Sequence, residues 1–274
     1  MGTSGAYTGA GGTAGKEISE GLSDWVDSLP SAAEDDGGAT DEGPPSESEA
    51  SPLPPKAMSG LMGLLRPRSG SGSADGPGGG GGGAAGGSGG GGTGRTRSGS
   101  GRSSQRLSSV GGRAAAGAYA FAGGDIAGLE RLGLDYAELS ALGDPFEVSL
   151  RIIDAVCGEV PESNLESDEE RNVAADVVDW ILIENQDGAD LTPEEIARYT
   201  IATIIIEVLS TELAVELRDR HDGVRKVAED ELRAAATAVA DRAELTTTGA
   251  TDAELSNAVE KGIETLRGIY GGSQ

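Results

Sequence analysis

Histidine and cysteine occur once each in the 274 residues, aromatic side chains make up 3%, and 21 basic residues face 46 acidic ones. Each scarcity excludes something. The single cysteine, Cys157, permits no disulfide within the chain and no multi-cysteine zinc site, which fits a reducing compartment. The single histidine, His221, has no second histidine with which to hold a metal, and Cys157 has no histidine near it in sequence to act as its base. The formal charge of −25 opposes duplex nucleic acid as the main partner, because phosphate binding requires cationic surface. Long apolar runs are missing as well: Ile201 to Ile206, followed by Glu207, falls far short of the ~20 residues that a bilayer span needs. Met1 to Gly15 has neither the basic nor the apolar region of a secretory signal. Ala6 stands where an N-myristoylation pattern wants serine or threonine. The expectation is a cytoplasmic protein without a membrane anchor.

What is abundant is glycine, at 46 residues, and it is concentrated in the first part of the chain. From Ser31 to Gly101 there is scarcely a periodic apolar segment, and Gly78 to Gly83 and Gly89 to Gly92 are pure glycine. Ordering backbone costs ~1–2 kcal/mol per residue, with no burial here to offset it. Residues 1–106 therefore read as a disordered Gly/Ser/Pro-rich tail. Two short segments within it, at about 21–30 and 57–65, carry apolar side chains. In the first, Leu22, Trp25, Val26 and Leu29 fall on one helical face that stops at Pro30. Too short to be stable alone, this helix is expected to dock on a partner, with Trp25 as its anchor. In the second, Met58, Leu61, Met62, Leu64 and Leu65 suit adaptable docking. Between the two, prolines 44, 45, 52, 54 and 55 favour an extended spacer.

Residues 107–272 read as an all-α helical bundle. Asp125 is a helix N-cap candidate, and Asp144-Pro145 opens a helix whose buried stripe is Val148, Ile152, Ile153 and Val156. Ser167 to Asn185 follows with acidic residues in its first turn. Thr192-Pro193-Glu194-Glu195 is a capping box with proline at the first helical position, and the helix it opens is apolar on nearly all faces, so it should be the central one. Gly223 to Leu245 and Thr251 to Tyr270 complete the bundle, the last again with a capping box, Thr251 and Glu254.

Catalytic chemistry is hard to find in this pattern. His221 lies among charged residues at a helix end, where a surface histidine completing a C-terminus is the expectation. Trp180 and Cys157 read as core. The acids Asp168, Glu169, Glu170, Glu194 and Glu195 open helices, where capping and the helix dipole account for them. The glycine tract lacks the lysine-serine/threonine ending of a phosphate loop. No cofactor, no metal and no enzymatic activity are expected. Two features remain. Arg95, Arg97, Arg102 and Arg106 form a basic tract among serines and glycines, a candidate contact for single-stranded nucleic acid that lacks interleaved aromatics. The α-amine that removal of Met1 would leave on Gly2 has a typical pKa of ~7.7–8.0 against ~10.4 for lysine, so far more of it is nucleophilic near neutral pH.

Met1-Gly-Thr-Ser, the Arg/Ser/Gly tract, Val110-Gly-Gly-Arg-Ala-Ala-Ala-Gly-Ala-Tyr-Ala, Leu132-Gly-Leu-Asp-Tyr-Ala-Glu-Leu, Leu142-Gly-Asp-Pro-Phe-Glu and Arg151-Ile-Ile-Asp-Ala-Val-Cys-Gly together resemble the QatB family, the associated proteins of the Qat bacterial anti-phage defence system. The resemblance thins beyond Asn164. It implies a non-enzymatic scaffold working beside a QueC-like enzyme (QatC), an ATPase (QatA) and a TatD-like nuclease (QatD). It also implies that Gly2, recognised with Thr3 and Ser4, is the site at which the QueC-like enzyme modifies the chain. Two other readings stand beside it: an adaptor that holds single-stranded nucleic acid through its arginines, and a structural assembly protein.

Overall fold

The computed structural model describes residues 13–29, 52–65, 104–158, 165–218, 220–245 and 249–271, and among these the chain is all-α, with ten helices and no strand. In order they are α1 (Thr13–Ser28), α2 (Pro55–Leu64), α3 (Ser104–Gly123), α4 (Ile126–Arg131), α5 (Tyr136–Leu142), α6 (Pro145–Cys157), α7 (Leu165–Gln186), α8 (Pro193–Glu216), α9 (Asp222–Ala240) and α10 (Asp252–Tyr270).

Local sequence sets most of these boundaries. Asp125, Asp135 and Asp144 each accept a backbone N–H of the first turn that follows, which satisfies a donor that no intrahelical carbonyl can reach. Both expected capping boxes form: Thr192 and Glu195 exchange hydrogen bonds at the start of α8, as do Thr251 and Glu254 at the start of α10. Gly143, at φ 67°, closes α5 in the left-handed region that glycine enters without a Cβ penalty.

Helix α8 is central, touching α1, α2, α3, α7, α9 and α10 and burying Ile196, Ile201, Ile204, Ile205, Val208 and Leu209. It shares that place with α3, which contacts α4, α6, α7, α8 and α10. The alanines and glycines of α3 make it thin enough to be enclosed. A Cβ built on Gly112 would lie 2.4 Å from the backbone nitrogen of Ser256, so α3 and α10 approach more closely than any larger residue allows.

The first 106 residues differ from the sequence expectation in two stretches. Helices α1 and α2 pack on each other and on α8, and α2 also packs on α10. Ile18, Leu22, Trp25, Val26, Leu29, Leu53, Met58, Leu61 and Leu65 belong to the same buried cluster as the core of the bundle. The described bundle thus begins ahead of residue 107, with α3 starting at Ser104 and two earlier helices added to it. The physical reason is that neither apolar face is stable as an isolated helix, whereas α8 and α10 leave an apolar surface that both can cover. Polar contacts secure the arrangement: Ser19 donates to Glu216 at 2.6 Å and Arg220 pairs with Asp27 at 2.6 Å.

Candidate functional site

The docking residues of the sequence analysis lie inside the molecule. Leu22 is fully buried, and Trp25, Val26 and Leu29 are 4%, 4% and 8% exposed. The surface that α1 covers is therefore the chain's own bundle, and the expectation that Trp25 anchors this helix on a partner is corrected. Its indole N–H is buried with no hydrogen-bond partner among the described residues, so packing is what holds the side chain there. The sequence carried the signal for the helical face but not for what covers it.

Gly2, Thr3 and Ser4, and Arg95, Arg97 and Arg102, fall outside the described residues. Arg106 lies within α3 and pairs with Glu170 of α7 at 2.8 Å. Its guanidinium, half-exposed, bridges two helices of the bundle, so the last arginine of the basic tract contributes to the fold as well as to the surface.

The residues weighed for chemistry find structural surroundings. His221 is exposed and stands at the N-cap of α9 without a side-chain capping bond, rather than completing the C-terminus of the preceding helix. Cys157 is half-buried at the end of α6, and burial raises its thiol above the ordinary range, with the positive charge of Arg171 acting in the opposite direction. The nucleophilic form is the thiolate, so this shift makes Cys157 less reactive near neutral pH. Glu195 accepts from the backbone N–H and the hydroxyl of Thr192, which holds its carboxyl below the ordinary range. No group of three His, Cys, Asp or Glu side chains among the described residues has the arrangement of a metal site. No described helix is long and apolar enough to cross a membrane.

The tertiary structure also forms grooves that the sequence does not announce. One, of about 550 Å³, lies among the end of α7, the turn into α8, the first turns of α8 and the end of α9. Trp180 and Tyr199 line it, stacked nearly parallel with ring centroids 3.9 Å apart. Trp180, read as core from the sequence, is only half-buried and lines this groove. Burial and the nearby charge of Asp176 raise the Tyr199 hydroxyl above its ordinary range. Asp176 is itself raised, first by burial and then by the neighbouring carboxylate of Asp179. Around the aromatic wall stand four carboxylates, Glu184, Asp190, Glu195 and Asp241, and one guanidinium, Arg198. Arg198 is committed to the fold: it donates to the carbonyls of Ala240, Asp241 and Ala243 at the end of α9 and pairs with Glu194.

A second groove, of about 520 Å³, runs between α8 and α9 over Ile206, Leu213 and Leu217, with Arg218, Arg225 and Arg233 along it. Arg225 caps the end of the preceding helix, donating to the carbonyls of Leu217 and Arg218.

Comparison of the chain with protein-family models, curated proteins and solved structures finds no match in any of the three.

Proposed function

We propose that this protein is a non-enzymatic component of a bacterial anti-phage defence system, a scaffold whose Gly2 is modified by a QueC-like partner enzyme (QatC). The ATPase QatA and the TatD-like nuclease QatD would be the other members of that system. The resemblance of residues 1–4 and 110–158 to the QatB family supplies the system and the partner.

The observation that carries the scaffold reading is the burial of α1. Leu22, Trp25 and Val26 fix this helix in the core of the bundle, so Thr13 at its start is anchored to the folded body. Eleven residues, Gly2 onward, precede Thr13 once Met1 is removed, and at ~3.3–3.6 Å each they could span at most about 40 Å. That is ample to carry an amine into the active site of a docked enzyme while the bundle stays outside.

The chemistry asked of Gly2 is simple. An α-amine freed by removal of Met1 attacks the activated carbonyl of a carboxylated deazapurine adenylate. The new C–N amide bond replaces the C–O bond to AMP, AMP departs with the electron pair, and the amine proton passes to solvent or to a base of the enzyme. The low basicity of the α-amine relative to lysine makes it a readier amine nucleophile than any lysine side chain.

Intact-mass and N-terminal peptide analysis of the protein, produced with and without its QueC-like partner, tests the proposal. Loss of Met1 together with a partner-dependent mass increment on Gly2 is the expected result. An unmodified amine in the presence of a demonstrably active partner would refute the modification.

A further inference from the structure

The groove lined by Trp180 and Tyr199 is the surface whose chemistry points furthest beyond that reading, and it stands independently of what happens at Gly2. An aromatic pair is rarely left at the edge of a groove, because covering it against another helix releases more water. Here both stacked rings line the groove and are only half-buried.

The charge around it is one-sided. Glu184, Asp190 and Asp241 line the groove and have no ion pair or side-chain hydrogen bond among the described residues. The carboxylate of Glu195 is occupied by Thr192, and the guanidinium of Arg198 is occupied by the end of α9 and by Glu194. A newcomer to the groove therefore meets aromatic surface together with three unneutralised carboxylates. Arg198 shows that a guanidinium fits against the carbonyls at the end of α9.

The group that satisfies all of these features is an arginine side chain. Its planar cation stacks on aromatic rings, its N–H fork matches carboxylates, and it gives up its hydration more readily than an ammonium does. We infer that this groove is a docking site for an arginine-bearing basic segment of a partner protein, with Trp180 and Tyr199 as the stacking wall and Glu184, Asp190 and Asp241 as its counter-charges. Charge complementarity selects such a partner: the bundle surface here is anionic, and a basic segment would be attracted to it before it docked.

The probe is a fluorescein-labelled Gly/Ser peptide carrying three arginines, titrated into the full chain and followed by fluorescence anisotropy at physiological salt. Saturable binding is expected, at least tenfold weaker for the same peptide with citrulline in place of arginine. Trp180→Leu, which leaves the charge unchanged, and the exposed-rim variant Glu184→Gln/Asp190→Asn should each weaken binding about tenfold. The second variant keeps the test decisive where the first perturbs packing. An equal loss on replacing two remote carboxylates, by Glu130→Gln/Glu147→Gln, would mean general attraction to an acidic protein and would overturn the site. Unchanged affinity in the rim variant would do the same. Binding that emerges only after Arg95, Arg97 and Arg102 are changed to alanine would assign the groove to the chain's own basic tract and overturn the partner.

Discussion

Arg267 of α10 donates a hydrogen bond to the main-chain carbonyl of Leu65, the residue that closes α2. The same terminal nitrogen lies 3.4 Å from the hydroxyl of Ser104, the first residue of α3. One guanidinium thus joins the end of α2 to the start of α3.

Removing that side chain should loosen the α2 end of the core. Arg267→Met keeps much of the apolar stem but leaves the Leu65 carbonyl without its donor, and the cost of such a loss is about 1–3 kcal/mol. Urea unfolding followed by circular dichroism measures it. Arg267→Lys should recover only part of the loss, because one ammonium cannot reproduce the spread of the guanidinium fork. Native stability in Arg267→Met would show that packing alone holds α2.

Trp25 separates packing from hydrogen bonding at the α1 contact. Trp25→Ala removes the largest side chain of that helix from a buried site and should cost about 3–5 kcal/mol. Trp25→Phe loses some contact area but also removes an indole N–H buried without a partner, so the two effects offset to within about 1 kcal/mol. Equilibrium unfolding of both variants decides the point. A mild Trp25→Ala effect would place α1 outside the cooperative core.

Two glycines of α3 should respond oppositely to alanine. At Gly112 the added methyl carbon would come within 2.4–2.5 Å of the backbone of Ser256, so α3 and α10 must separate, at about 1–3 kcal/mol. At Gly123 nothing lies within 4 Å, and the better helix propensity of alanine should stabilise by up to about 1 kcal/mol. Thermal denaturation of the two single variants should therefore bracket the native midpoint.

The capping boxes predict an acid limb of stability. Glu195 and Glu254 are both held below the ordinary carboxylate range by the main-chain N–H and hydroxyl of their threonines, with the backbone bond the stronger influence at Glu195 and the hydroxyl at Glu254. Their folded-state pKa values lie below the unfolded ones, so the stability they contribute is present above the ordinary carboxylate range and is lost as the pH falls through the folded-state values. The double variant Glu195→Gln/Glu254→Gln should lose stability less steeply than the native protein between pH 6 and pH 3. Parallel curves would show that the caps are electrostatically silent.

Local signals in the sequence reach the structure almost unchanged. The aspartate caps, the threonine-glutamate boxes and the apolar stripes of α6 and α8 depend on neighbours three or four residues away, so the chain specifies them before it folds. The placement of α1 and α2 was not legible in that way. Their apolar faces are visible in Leu22, Trp25, Leu61 and Leu65, but whether another chain or this one covers them depends on the shape of α8 and α10. The groove is a matter of assembly too. Trp180 and Glu184 lie on α7, Tyr199 on α8 and Asp241 just past the end of α9, and nothing in their spacing announces a common site. The sequence by itself determined the helices, the acidic balance and the scarcity of catalytic side chains. Only the tertiary structure decided that α1 and α2 belong to the core and that an aromatic stack shares a groove with three carboxylates that have no partner among the described residues. Packing joins residues far apart in the chain, and periodicity reports only on residues close together in it.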